Sequence, residues 1–309
     1  MEANSGIVAG NKSYRLQLGN RVLELSSKTH IMGVINITPD SFSDGGRFNV
    51  KSGRFDKEQP FQPDYSKAIE AALRMAEEGA DIIDVGGEST RPGANAISHE
   101  EETARVLPVI EGIRKHSDIP VSIDTFKSAT ALAALTAGAS IINDISGLTF
   151  DPDMAKAAAK TGAAIIIMHI KGTPADMQAD PRYADLLGEV KSYLVSGIEK
   201  AKAAGVPEEK ILIDPGIGFG KNAEHNLELV ARLKELARLG YPVVLGVSRK
   251  AFIGRLTGGA PASDRLEGTI AASVLGIANG ANIIRAHDVK AVRRAADVAD
   301  AILRAGVSA

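Results

Sequence analysis

The chain has no cysteine, so disulfide frameworks, thiolate nucleophiles and Cys-ligated zinc or iron–sulfur clusters are excluded, and a reducing, cytoplasmic setting is expected. Tryptophan is also absent, and eight Phe and five Tyr make up the whole aromatic complement. The core must therefore be aliphatic, with few rings on which nucleic-acid bases could stack. Charge of one sign is lacking too: 36 Lys and Arg against 38 Asp and Glu leave a net charge of −2, too even to draw nucleic acid or an anionic membrane by bulk attraction. The longest apolar runs are short, as at 163–168, against the roughly 18 residues of a spanning helix, and Glu2 among polar neighbours spoils a signal peptide. Neither a nucleic-acid nor a membrane partner is expected. Any anionic ligand has to be caught by a local cluster of cations.

What is present is a regular alternation. Short β-branched runs at 30–35, 81–85, 120–123, 140–142, 163–168, 210–213, 242–247 and 282–285 each end in a polar residue. Segments with helical spacing lie between them, among them 65–78, 100–116, 180–204, 222–239 and 290–303. Near-continuous apolar strands imply burial on both faces, the habit of parallel sheets covered by helices. Eight such units in 309 residues fit a closed barrel better than an open doubly wound sheet. Ahead of them, residues 14–25 alternate apolar and polar around Gly19-Asn20, a hairpin signal. The expected fold is α/β: a (β/α)8 TIM barrel with an N-terminal β-hairpin, residues 1–28 forming a tail and hairpin that cap a single barrel domain at 29–309. The 38–64 connection is long and rich in Gly, Ser, Asp and Lys, which suggests a functional lid or a disordered loop.

Active sites of such barrels form at the carboxyl ends of the strands. Here those ends carry Asn36, Asp84 with Glu88 and Arg91, Asp124, Asn143 with Asp144, Met168 with His169, Asp214, Ser248 with Arg249 and Lys250, and Arg285 with His287. One polar strand end is ordinary, because it meets solvent. Eight of eight suggest a ligand with ring N–H groups to be read and an anion to be neutralised. The run from Asp214 to Lys221 is glycine-rich but fails the P-loop pattern, since Pro215 stands where a glycine is needed and Asn222 where Ser or Thr is needed. It reads as a phosphate loop or as a tight turn. Lys250 could form a Schiff base or hold a ligand as a cation. Arg285 and His287 lie two apart at a strand end and can grip one phosphate, whereas His30, His99, His116 and His225 are read as structural or solvated. Nucleophile elbows and zinc spacing are missing. Asn36 and the Asp44-Gly45-Gly46 turn offer hard oxygen ligands suited to Mg²⁺.

The segments 31–46 (IMGVINITPDSFSDGG) and 84–93 (DVGGESTRPG) resemble the two signatures of the dihydropteroate synthase family, in the pterin-binding (β/α)8 group. The resemblance extends through 122–125, 142–144, 168–169, 214–221, 246–250 and 285–289, in the family's order, and spans about residues 14–305. It implies a transferase of folate biosynthesis, a sulfonamide target, that joins 6-hydroxymethyl-7,8-dihydropterin pyrophosphate to p-aminobenzoate, giving 7,8-dihydropteroate and pyrophosphate. By matching position, Asp124, Asn143, Asp214, Lys250 and Met168 would hold the pterin, and Asn36, Thr90, Arg91, Arg285 and His287 the pyrophosphate. Ser248, Phe219, Phe42, Pro92 and Lys250 would border p-aminobenzoate, and Mg²⁺ would sit at Asn36. Asp124, Lys250, Arg285 and His287 would carry the chemistry. The resemblance further implies an SN1-like loss of pyrophosphate, closure of the 38–64 and 86–98 loops over the site, and a homodimer packed through late helices, with an apolar stripe at 265–278. Departures are modest: Ile170 and Lys171 replace a frequent Met and Arg, Ala251 a frequent Ser, and the first loop is extended around 51–63. Two rivals are a pterin-dependent methyltransferase, expected to lack the Ser-Phe-Ser-Asp-Gly-Gly loop, and a non-catalytic pterin-binding paralogue.

Overall fold

The computed structural model describes residues 14–39, 63–91 and 93–307. It opens with an antiparallel hairpin of β1 (Arg15–Leu18) and β2 (Arg21–Glu24), registered Arg15 to Glu24, turning at Gly19 with φ of 58°. Strands and helices then alternate: β3 (His30–Asn36), α1 (Tyr65–Glu77), β4 (Ile82–Gly86), α2 (His99–His116), β5 (Val121–Asp124), α3 (Ser128–Thr136), β6 (Ile141–Asp144) and α4 (Met154–Thr161). The second half continues with β7 (Ala164–Met168), α5 (Leu186–Ala203), β8 (Ile211–Asp214), α6 (Ala223–Ala231), α7 (Leu233–Ala237), β9 (Val244–Leu245), α8 (Ala251–Leu256), α9 (Leu266–Ala278), β10 (Ile283–Ala286) and α10 (Val289–Val307). The eight strands from β3 to β10 are parallel neighbours in the order β8-β7-β6-β5-β4-β3-β10-β9. A bridge from Ile213 to Val243 joins the two outer strands, so the sheet is a nearly closed barrel.

Three of the expected elements differ from the observed ones for a local reason. The strand expected at 242–247 shortens to Val244–Leu245, because the Val243 N–H goes to the side chain of Asn282 (2.9 Å) instead of to a ladder partner. The helix expected from 180 starts at Leu186, where Asp185 caps it by accepting from Gly188 N (3.0 Å). The helix expected over 222–239 breaks at Arg232 into α6 and α7. His225 completes the capping box with Asn222 at the start of α6, the structural role expected of it.

Along each barrel strand the outward positions, such as Ile31, Ile83, Ile123, Ile165 and Ile213, join the cluster beneath the helices. The inward positions divide by depth. At the amino end they are apolar: Met32, Ile82, Ile141, Ile166, Leu212 and Ile283 form one cluster with the hairpin's Leu16, Leu18, Leu23 and Leu25. The hairpin is thus a stopper, each buried leucine contributing about 1.5–3 kcal/mol of transfer energy. Asn282 fastens it by donating to the Leu25 carbonyl (3.1 Å), as does the ion pair of Arg21 with Asp118. At the carboxyl end the inward positions turn polar, as they must where a site replaces a core.

Candidate functional site

Asp84, Asp124 and Arg285 form the floor of the cavity. The Arg285 guanidinium donates Nε to Asp84 Oδ2 and Nη2 to Asp124 Oδ2, each at 2.6 Å, while Asn143 Nδ2 donates to Asp84 Oδ2 at 3.1 Å. Asp84 has no exposed surface, and its second oxygen has no hydrogen-bond partner among the described residues. Burial pushes the Asp124 carboxyl up to about 7, against the pull of Arg285. It pushes Asp214 up to about 6, against a hydrogen bond from Gly216 N. Burial also works against the Arg285 cation, but Asp84 and Asp124 outweigh it and raise its pKa. Asp124 and Asp214 are therefore carboxyls whose charge burial disfavours, and they gain from a ligand offering N–H groups.

One wall belongs to the glycine-rich loop after β8. A Cβ at Gly216, which has φ of 67°, would lie 1.9 Å from the His169 carbonyl oxygen, so the loop can pack on the end of β7 only with glycine there. Lys221, 2% exposed, turns inward and donates to Gly216 O (2.9 Å), Phe219 O (2.9 Å) and His169 Nδ1 (2.8 Å). Three acceptors match the three N–H bonds of an ammonium, which works against the burial that pulls the Lys221 pKa well down. Burial, reinforced by Lys221, drives the His169 pKa down to about 2, so the ring is neutral and accepts. The loop is a clamped turn, and Lys221 is its internal fastener. Across the cavity, Lys250 Nζ stands 4.4 Å from the centre of the Phe219 ring. Burial, with Arg285 adding to it, lowers the Lys250 pKa to about 8.

The rim is also fastened. His287 N donates to Ser248 Oγ (3.2 Å), and His287 Nδ1 lies 3.0 Å from the same oxygen. The loop after β4, which carries Thr90 and Arg91, is pinned at its base: Arg105 donates to Gly87 O (2.8 Å), Ile97 N donates to Glu88 (3.2 Å), and Lys127 bridges Glu88 and the fully buried Glu102. Its far side reaches the β7 loop, where Gly93 N donates to Pro174 O (3.4 Å).

These walls enclose a cavity of about 620 Å³, lined by Asn36, Thr90, Arg91, Asp124, Asn143, Met168, Asp214, Phe219, Ser248, Lys250, Arg285 and His287. Two residues expected at the p-aminobenzoate site, Phe42 and Pro92, lie outside the described residues, as does most of the 38–64 connection, including Asp44. Asp144 is one residue out of phase with Asn143 and serves the fold, accepting from Ser146 N and Leu148 N, both at 2.8 Å. The fasteners Lys127 and Lys221 are not foreseen, since they act on loops rather than at strand ends. The only sequence trace of them is a charge close behind a strand end. Among the described residues no group of three His, Asp or Glu could hold a metal ion.

A parallel barrel whose deep acids, amide and lysine face a cationic rim defines a pterin-binding enzyme, and the family described as "Pterin binding enzyme" matches residues 32–287. The Synechocystis dihydropteroate synthase is 44% identical over 289 residues, covering 94% of this chain and 95% of that protein. The Yersinia pestis dihydropteroate synthase, solved with a sulfonamide drug, superposes with a TM-score of 0.86 at 41% identity, covering 94% and 99% of the two chains. The Xanthomonas albilineans dihydropteroate synthase, solved with 4-aminobenzoic acid, gives 0.83 at 42% identity, covering 94% and 98%. The chain belongs to the dihydropteroate synthase family, enzymes of folate biosynthesis, so the methyltransferase and non-catalytic readings fall away.

Proposed function

We propose that the cavity takes 6-hydroxymethyl-7,8-dihydropterin pyrophosphate with its ring on the floor and its pyrophosphate at the rim, and p-aminobenzoate against Phe219 and Ser248. The observation that carries this reading is that Asp124, Asn143, Asp214 and Lys250 line one cavity of about 620 Å³ together with Arg91, Arg285 and His287. Carboxylates of Asp124 and Asp214 accept paired N–H donors from the aminopyrimidine, Asn143 both donates and accepts, and Lys250 meets a ring nitrogen or carbonyl oxygen. Met168, 4% exposed, lies under the ring. Phe42 and Pro92 complete the p-aminobenzoate side in the same proposal.

The reaction is an SN1-like substitution. The bond from the pterin methylene to oxygen breaks with its electron pair leaving on pyrophosphate, the aniline nitrogen attacks the methylene, and a proton is lost from that nitrogen. Asn36, Thr90, Arg91, Arg285 and His287 bind the departing anion, and Asp124 stabilises the cationic ring, so the catalytic effect is electrostatic and positional. Asn36 offers an amide oxygen beside these cations, and its side chain takes no hydrogen bond from a described residue. With no acidic cluster among the described residues, the donor set fits Mg²⁺ held chiefly by water and substrate phosphate, with Asn36 as its protein ligand. When bound, that ion supplies charge neutralisation to the leaving group.

The proposal extends to a cytoplasmic homodimer and to one barrel domain, 29–309, closed by the 1–28 segment. For the dimer, Leu275 on α9 and Val298 and Ile302 on α10 stand 59%, 60% and 67% exposed on helices that pack against each other. The test of the reading is turnover by the purified chain with dihydropterin pyrophosphate, p-aminobenzoate and Mg²⁺. Pyrophosphate release that depends on p-aminobenzoate is expected, and release that ignores it sinks the assignment of substrates.

A further inference from the structure

Arg249 stands between Ser248 and Lys250 with φ of 59°, one of two non-glycine residues in the left-handed region among the described residues. A side chain with a Cβ disfavours that conformation, so the surroundings must hold it. Three contacts do. The Arg249 N–H donates to Thr269 Oγ1 on α9 (3.0 Å), and its carbonyl accepts from Arg265 Nη1 (2.8 Å). Its guanidinium forks onto Asp288, Nε to Oδ2 at 2.9 Å and Nη2 to Oδ1 at 2.7 Å. Asp288 directly follows His287, and His287 is itself joined to Ser248. Two cross-links therefore bind the turn after β9, which presents Lys250, to the turn after β10, which presents His287 beyond Arg285.

We propose that Arg249 is a positioning residue. Its planar fork on Asp288 fixes the spacing between the Ser248–Lys250 turn and the Arg285–His287 turn, keeping the lysine at the pterin and the cations at the pyrophosphate in register while the carbon–oxygen bond breaks. A guanidinium suits this task because two parallel hydrogen bonds set angle as well as distance, which an ammonium cannot do. The inference rests on the roles proposed above for Lys250, Arg285 and His287. It differs from an arginine that grips substrate directly, because such an arginine would be released for that task by removing Asp288.

The test compares Arg249→Gly, Asp288→Asn, the double variant and Arg249→Lys in steady-state turnover. Glycine accepts the left-handed conformation, so Arg249→Gly removes the fork without adding backbone strain; Asp288→Asn is nearly isosteric and keeps the fold if the glycine variant does not. Each single variant is expected to lower kcat by about tenfold or more, because small misplacements of reacting groups are costly. The double variant should fall no more than about threefold below the worse single, the signature of one shared interaction. Arg249→Lys should fall with them, and kcat should fall by more than KM for dihydropterin pyrophosphate rises, since Asp124, Asn143 and Asp214 lie on other strands and still hold the ring. An Asp288→Asn enzyme within about twofold of wild type, losses that multiply in the double variant, or a raised KM with unchanged kcat in Arg249→Gly would each overturn the clamp. A wild type that releases no pyrophosphate would instead sink the site roles on which the clamp rests.

Discussion

The two ends of the barrel are built by one rule and put to opposite uses. Inward positions at the amino end carry Met32, Ile82, Ile141 and Leu212 and are sealed by four hairpin leucines, whereas two residues beyond the last three of these, on the same strands, stand Asp84, Asn143 and Asp214. The first set gains stability from burial. The carboxyl end instead holds charge at a cost: burial raises the pKa of Asp214 and of Asp124 and lowers that of Lys250, each shift marking a charge that burial disfavours. Apolar filling thus gives way to buried polar groups within the span of one strand.

If the ends are independent, Leu16→Ala, at a site 1% exposed, should lower the free energy of unfolding by about 2–4 kcal/mol in denaturant titration and leave kcat/KM of the folded enzyme within about twofold. A loss of activity in the folded protein would mean that the stopper shapes the site. The reverse pattern is expected of Lys250→Ala and Asp214→Asn, which should cut kcat/KM at least about tenfold, or about 1.4 kcal/mol, in turnover assays; near-wild-type values would remove these residues from the site.

Asp214 also separates the two ends by pH. Its carboxyl titrates near 6 in the fold against 3.8 ordinarily, so the folded state is penalised once the group must ionise. The stability gain of Asp214→Asn over wild type should therefore grow as pH rises from 3.8 to about 6 and level off above, as measured by unfolding at several pH values. A gain that shrinks over that range would contradict the raised pKa. Activity should follow the opposite logic. The carboxylates must be ionised to accept N–H donors, and Lys250 must keep its proton, so kcat/KM should rise through about 6 to 7, fall above about 8, and lose the upper limb in Lys250→Gln. The smallest effect on either end is expected from Ile302→Glu on α10, which should sediment as a monomer with kcat/KM within about threefold of wild type; an unchanged sedimentation coefficient would remove that face from the dimer.

Most of the barrel could be read in advance because β-branched runs ending in a polar residue repeat with the strand period. Asn143 and Asp144 show the limit of reading by position: they adjoin in sequence, yet the two-residue alternation sends one into the cavity and the other out to hold a loop. Val243 shows another, since a side chain 39 residues away takes its N–H. Asn36, Asp124, Asn143, Met168 and Asp214 were visible because each stands at the carboxyl end of a strand. Their supports were not, because Lys221 and Lys127 act across loops that meet only once the barrel closes. Nor does spacing reveal that Arg285 spans two carboxylates from other strands.

Among the described residues, the hairpin stopper leaves the barrel a doorway at its carboxyl end. With leucines filling the amino end, everything the enzyme admits must return by the route it took, past Arg91 and Phe219. On the proposed roles, the ring that rests deepest enters first and departs last, the pyrophosphate nearer the threshold can go while the ring stays, and the second substrate finds its place only when the first already occupies the back of the room. The order of traffic is then a property of depth, set by a fold closed at one end.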